Sequence, residues 1–316
     1  MTEMTSSTAT PPAPTAPVTP AEPSTSGVVR ALQVFGRSFR TVWSNGKARV
    51  GLVILAVFVL VAIFAPVLAP YSPHANNFAP DIGSNSSHLL GTTGAGEDVL
   101  SQLLYGARVS ILVGFVAGGI STLVAVAVGL SWGYLRNWVG EVVNFIVNLF
   151  LVVPGLPLMI IIAAYAQNGG LPVIVLVVVI TGWAWGARVL RAQTQSLRSR
   201  DFVTAALFSG ESATRVVFRE ILPNMTSMIA GSFFGAATAA VLAESGLSFL
   251  GLGDPFTVSW GSMLYWAQNS NALLTGQWIL LFAPGLCVAL LATAMTLVNF
   301  GVDGLSNPRL REGNGR

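Results

Sequence analysis

Charge is what this chain has least of. Asp, Glu, Lys and Arg make up 9% of its 316 residues, against about 25% in soluble domains. Such a chain cannot coat a water-facing surface, and with hydrophobic residues at 53% it reads as an integral membrane protein. The single cysteine, Cys287, excludes an intrachain disulfide and a cysteine-held metal. The two histidines, His74 and His88, stand in one loop with no carboxylate pattern around them, so they read as ordinary loop residues and no metal site is expected. The only lysine is Lys47; it follows Gly46, but Ala48 comes next and Thr41 stands where a phosphate-cradling loop needs its first glycine. The chain therefore has no P-loop, and any ATP hydrolysis belongs to another subunit. The apolar runs are almost free of ionisable residues, Glu141 and Glu244 lying at or near run ends. That argues against a proton- or ion-coupled carrier, which needs such groups at mid-membrane. No filter-like segment points to a simple channel.

What the chain has is a series of long uncharged runs. Spans are predicted at about 50–70, 109–135, 142–166, 172–190, 221–245 and 278–302. Each is long enough to cross the hydrocarbon core, which takes about twenty residues of helix. The uncharged stretch 142–187 is too long for one helix and is divided at Gln167-Asn-Gly-Gly-Leu-Pro172, a turn sequence. The fold class expected is an all-α integral membrane protein of six transmembrane helices.

The basic residues orient these spans. With the N-terminus inside, Arg30, Arg37, Arg40, Lys47 and Arg49 precede span one, Arg136 lies between spans two and three, and Arg188, Arg191, Arg198, Arg200, Arg215 and Arg219 lie between spans four and five. Arg309, Arg311 and Arg316 follow span six, which leaves only Arg108 of the sixteen outside. Positive charge stays inside, so both termini are expected in the cytoplasm. This clustering between apolar runs also removes the nucleic-acid reading that the basic pI would invite.

Residues 1–34 open with a Pro-, Thr- and Ser-rich stretch and run into the basic segment. The stretch is too poor in apolar side chains to offset its chain entropy and reads as a disordered tail. It lacks the basic start and apolar run of a signal peptide. Residues 312–316 form a short C-terminal tail.

Between spans four and five lies a polar, amphipathic segment. It contains Asp201, Thr204, Ala205, Ala206 and Phe208, then Gly210 and Glu211, then Arg215, Arg219, Leu222 and Pro223. Its length suits two short helices joined at Gly210, where glycine can take a positive φ. Pro223 is expected to stop the second helix and start span five. Ala205, Ala206 and Phe208 offer a small apolar face framed by Arg200, Arg215 and Arg219. The Ala-Ala, Gly and Leu-Pro spacing resembles the signature loop of ABC-importer permeases, although Thr204 stands where that family carries Glu. The resemblance implies a cytoplasmic coupling helix that seats in a cleft of an ATPase subunit.

Further motifs narrow the resemblance to the dipeptide, oligopeptide and nickel importers. His88-Leu-Leu-Gly91 through Gly106-Ala-Arg108-Val-Ser110 is similar to their segment before span two, with Thr93 and Glu97 in place of the usual Asp and Arg. Glu244-Ser-Gly-Leu-Ser-Phe-Leu-Gly-Leu-Gly253, then Trp260-Gly-Ser-Met-Leu264, resembles the outer loop of the second, C-type permease subunit. Asp303-Gly-Leu-Ser-Asn-Pro-Arg309 resembles its cytoplasmic end. The similarity covers about residues 35–311. It implies a permease subunit in a bacterial cytoplasmic membrane, working with a second permease, two ATPase subunits or one two-domain ATPase to bind the ATP and magnesium, and an extracytoplasmic solute-binding protein. No cofactor is implied for this chain. Short peptides are the favoured cargo, with nickel, opines and oligosaccharides as alternatives; a self-contained carrier or channel is the other class.

Several residues are candidates for the path and its gate. Pro154 and Pro157 should kink span three, and Asn144 and Asn148 put amides one turn apart near its inner end. Glu244 precedes, and Phe249 and Trp260 belong to, a Gly- and aromatic-rich outer loop, 246–277. That loop reads either as an outer gate and landing site for the binding protein or as an interfacial aromatic belt. Ser227, Gly231, Gly235 and Ala239 line one face of span five every four residues. Small side chains let another helix approach closely, either within this chain or across a permease heterodimer.

Overall fold

The computed structural model describes residues 42–134, 138–166 and 170–306, without the side chains of 305 and 306. The predicted tail at 1–34, Arg136, residues 167–169 of the predicted turn and the C-terminal tail lie outside them. Helices dominate the described residues, and their one β feature is the isolated bridge between Thr92 and Asp98. Apolar runs in a membrane must satisfy every backbone N–H and C=O internally, and a helix does so with the fewest long-range contacts.

Helix α1 is Gly46–Leu68; Asn45 caps it, its side chain accepting from the amides of Lys47 and Ala48 at 3.0 and 3.3 Å. It packs backbone to backbone on the last helix, α10 (Ile279–Ser306). A Cβ on Gly51 would lie 2.6 Å from the Ala294 carbonyl, and one on Gly301 would lie 2.3 Å from Ala48 Cβ.

Helix α2, Val99–Tyr134, is the central post. It starts ten residues before the uncharged run, because Arg108 sits inside the helix, its guanidinium 5.9 Å from the centre of the Tyr105 ring. Small residues set its close approaches. A Cβ on Gly118 would meet Ala237 of α8 (Thr226–Phe249) at 2.6 Å, and one on Gly133 would meet Thr194 of α5 (Gly170–Arg198) at 2.6 Å. One half of α2 is thereby tied to α8 and the other half to α5.

The third predicted span is not one kinked helix. Helix α3, Trp138–Val152, and helix α4, Gly155–Tyr165, meet at 89°. Pro154 takes the N-cap position of α4 and Pro157 falls in its first turn. The first amides of a helix have no intrahelical acceptor, so two prolines cost little at a new start and much inside a continuing helix. Among the described residues, five helices are thus long and apolar enough to cross a membrane, with a sixth crossing if the bent pair counts as one.

Helix α5 runs past the predicted end at 190 to Arg198. Its basic residues are held by neighbours: Arg188 donates to Asn148, Arg191 stacks 3.8 Å over the Trp132 ring, and Arg198 donates to the Tyr134 carbonyl.

Candidate functional site

The 199–225 segment lies at the end of the bundle where α2 finishes. Helix α6, Asp201–Phe208, starts with Asp201, whose carboxylate suits the positive end of a helix. It ends in a Schellman arrangement: the Gly210 amide donates to Leu207 O at 3.0 Å and the Glu211 amide to Ala206 O at 3.2 Å. That closure needs a left-handed residue, and Gly210 takes φ +80°. Helix α7, Ala213–Val216, follows, capped by Ser212.

Pro223 does not stop the chain there. A π turn over Val217–Ile221 passes into a 3₁₀ turn over Leu222–Met225 and then into α8. The Leu222 amide reaches back to Val217 O, a wide bond that lets the path absorb the missing proline donor without breaking. The result is one continuous helical route over Ala213–Phe249.

The segment is seated from below and bare on top. Val203, Val216, Ile221 and Met225 are buried against Ala125 and Leu130 of α2 and Ala187 and Leu190 of α5. Ala206 is half-buried on the same cluster, and Leu222 also packs there. Thr204, Ala205, Arg215, Arg219 and Pro223 face outward. Phe208 is 89% exposed and Phe218 62% exposed, with Phe202 and Leu207 beside them. Glu211 and Arg215 pair at 3.2 Å across one turn. Phe202 and Phe218 were not singled out from sequence; the signal was there, in each lying next to an apolar residue that packs on this cluster, Val203 and Val217.

At the opposite end, where α2 begins, Glu244 is 1% exposed. Three serine hydroxyls hold its carboxylate: Ser248 at 3.0 Å, Ser245 at 3.3 Å and, across the helix interface, Ser110 of α2 at 3.3 Å. Glu244 thus lies inside α8 near its end, the helix continuing to Phe249. The 250–278 connection closes over this clasp. Cβ atoms on Gly253 and Gly261 would fall 2.6 and 2.7 Å from Ser248. Helix α9, Trp260–Asn269, begins in a capping box of Ser259 and Ser262. Trp260 is buried, donates to the Leu103 carbonyl at 3.0 Å and meets Phe58 edge-on at 5.4 Å. It anchors the 250–278 connection to α1 and α2, whereas Phe249 stays partly exposed at the end of α8.

His88 has a partner that sequence did not suggest. It lies buried 2.9 Å from Asp98, whose other oxygen caps α2 through the Ser101 amide and hydroxyl at 2.8 and 2.7 Å. The spacing of ten residues hides a pair that the Thr92–Asp98 bridge brings together. No group of three metal-ligating side chains occurs among the described residues.

The remaining path candidates separate. Asn148 bonds Asn144 as well as Arg188, so these amides tie α3 to α5. Pro154 and Pro157 are exposed at the bend. Along α8, Gly231 packs within the chain, a Cβ there meeting Asn299 and Asp303 of α10 at 3.0 Å. Ser227 is half-buried, while Gly235 and Ala239 are exposed. The four-residue stripe is thus split between an internal contact and an open face.

Residues 125–312 match the family described as binding-protein-dependent transport system inner membrane component. Residues 34–87 match the N-terminal transmembrane domain of oligopeptide transport permease C. The chain is 34% identical over 265 residues to the oligopeptide transport system permease protein OppC of Mycobacterium tuberculosis H37Rv, covering 83% of this chain and 89% of that protein. It is 31% identical over 279 residues to the dipeptide transport system permease protein DppC of Bacillus subtilis, covering 87% and 85%. With its several apolar crossings it is a multi-pass inner-membrane protein, and it belongs to the family of permease components of binding-protein-dependent ABC transport systems.

Proposed function

We propose that this chain forms half of the translocation pathway of an ATP-driven importer of short peptides, with both termini and the 199–225 segment in the cytoplasm. The orientation rests on the placement of the basic residues. The peptide cargo rests on the oligopeptide and dipeptide permeases it resembles. A second permease subunit would cover the open faces: Gly235, Ala239 and Leu242 on α8, and Phe145, Leu149 and Val152 on α3. ATP and magnesium would be held by two partner ATPase subunits, and no cofactor by this chain.

The observation that carries the mechanism is the pairing of a rigid underside with an apolar top on α6. Phe208 projects from a helix whose other face is locked to α2 and α5 through Val203 and Ala206. A short helix of this kind seats in a groove of a partner. When two ATPases close on ATP, the seated helix moves as a rigid lever. Its motion passes through the continuous Ala213–Phe249 route to the far end of the bundle, where Glu244 and Trp260 sit. Closure and reopening then become a rigid-body exchange driven by nucleotide.

The test is transport and ATP hydrolysis in proteoliposomes holding the whole complex. Phe208→Ala should cut transport at least about tenfold, the loss expected when a central aromatic anchor is truncated. The variant chain should still reach the membrane and fold, because Phe208 supports nothing beneath it. Gly210→Trp should uncouple by straining the left-handed turn, its added Cβ meeting no neighbour within 4 Å. Normal transport by both variants would refute the docking role of α6.

A further inference from the structure

A cavity of about 470 Å³ opens between the connection after α1 and the connection before α10. Met263, Ala267 and Leu280 are buried residues in its lining, and Phe256 and Trp266 are exposed at it. Trp266 is held in place by its indole N–H, which donates to Pro255 O at 3.0 Å. Glu97 supplies the charged part of the wall. Its carboxylate accepts from Gln102 at 2.8 Å, and no ion pair to it occurs among the described residues. The surroundings are acidic. An Asp81 carboxylate oxygen lies 3.4 Å from where a Cβ on the cavity residue Gly94 would be, and Asp254 precedes the lining residues Pro255 and Phe256. His74 also lines the cavity, whereas Arg108, the one Lys or Arg of these outer regions, lies over Tyr105 and does not.

An apolar, aromatic-rimmed cavity with an unpaired carboxylate in its wall suits a long side chain with an apolar stem and a cationic tip. Lysine and arginine are such side chains; they bury the stem and pair the head, and aromatic faces add cation–π attraction. None of the lining comes from α3, α4 or α5, so the cavity is not continuous with the Asn144, Asn148 and Pro154 region. That favours an occupant that stays outside the membrane over a solute in transit. We propose that the cavity receives a lysine or arginine side chain of the extracytoplasmic binding protein, with its head at Glu97. This rests on the importer reading above and names the chemistry by which that partner docks.

The experiment uses the full importer in nanodiscs, titrated with its extracytoplasmic binding protein while ATP hydrolysis is followed. Glu97→Arg should raise the half-stimulating concentration about tenfold at low salt, as expected for reversing one partner of a close interfacial pair. Glu97→Gln, which can keep the bond to Gln102, should raise it about threefold and guards against a folding artefact. Added salt should narrow both differences. An unchanged half-stimulating concentration in Glu97→Arg would overturn the proposal. Binding of a lysine-containing tripeptide to the importer without binding protein, lost in Glu97→Arg, would overturn it in favour of a direct solute site. A wild-type complex that no concentration of binding protein stimulates would instead sink the importer reading, and the docking proposal with it.

Discussion

Replacing Glu244 separates what its carboxylate accepts from what its bulk fills. In Glu244→Ala, the Ser110 hydroxyl of α2 loses its cross-helix acceptor, while Ser245 and Ser248 lose acceptors on their own helix. A cross-helix hydrogen bond in a membrane protein averages about 0.6 kcal/mol and reaches about 1.7. Helical serines can turn back to a carbonyl four residues earlier, so the two α8 serines recover most of their loss. The truncation also leaves a hole beneath tightly packed Gly253 and Gly261. At about 24 cal/mol per Å³, a void of roughly 40–60 Å³ costs about 1–1.5 kcal/mol. Together these give about 2–3 kcal/mol for Glu244→Ala. Glu244→Gln keeps the shape, and hydroxyls can switch between donating and accepting, so it should cost under about 1 kcal/mol. Glu244→Leu fills the hole but accepts nothing and should fall between them. Reversible unfolding of the purified chain in mixed micelles measures all three. An Ala variant as stable as wild type would refute the clasp, and a Gln variant as damaging as Ala would show that charge, not hydrogen bonding, holds this corner.

Other outcomes follow from the same packing. Gly118→Leu should destabilise the chain by at least about 1–3 kcal/mol, because a Cβ already meets the Ala237 backbone at 2.6 Å; wild-type unfolding behaviour would contradict the α2–α8 crossing. Asp98→Ala should cost about 2–4 kcal/mol in the same assay, since it strips partners from buried His88 and from the Ser101 amide and hydroxyl together; a cost below about 1 would contradict the buried pair. A cysteine at Ser212, in a chain carrying Cys287→Ser, should resist a membrane-impermeant thiol reagent in intact cells and react after the cells are opened; labelling of intact cells would reverse the proposed orientation.

The sequence by itself determined the solvent and the secondary structure. A chain with 9% charge and long apolar runs has to satisfy its backbone inside a bilayer, and helices follow. The segment around Gly210 was legible too, because a left-handed closure leaves a glycine in an otherwise ordinary helical pattern. The family resemblance was carried by local strings of residues and needed no fold. Helix ends were less legible: Arg108 looked like a boundary and span four was expected to end at 190, yet charges do not end a helix that can pair or stack them. Only the tertiary structure decided the rest. It turned a kinked span into two helices at 89° and placed Glu244 beneath serines from two helices, one of them 134 positions away in sequence. It also sorted the small residues of α8 into Gly231, which packs on α10, and Gly235, which faces open space. Each of these depends on which helix lies alongside which, and that is settled by backbone approach at Gly51, Gly118 and Gly133, where absence of a side chain carries no hydrophobic signal.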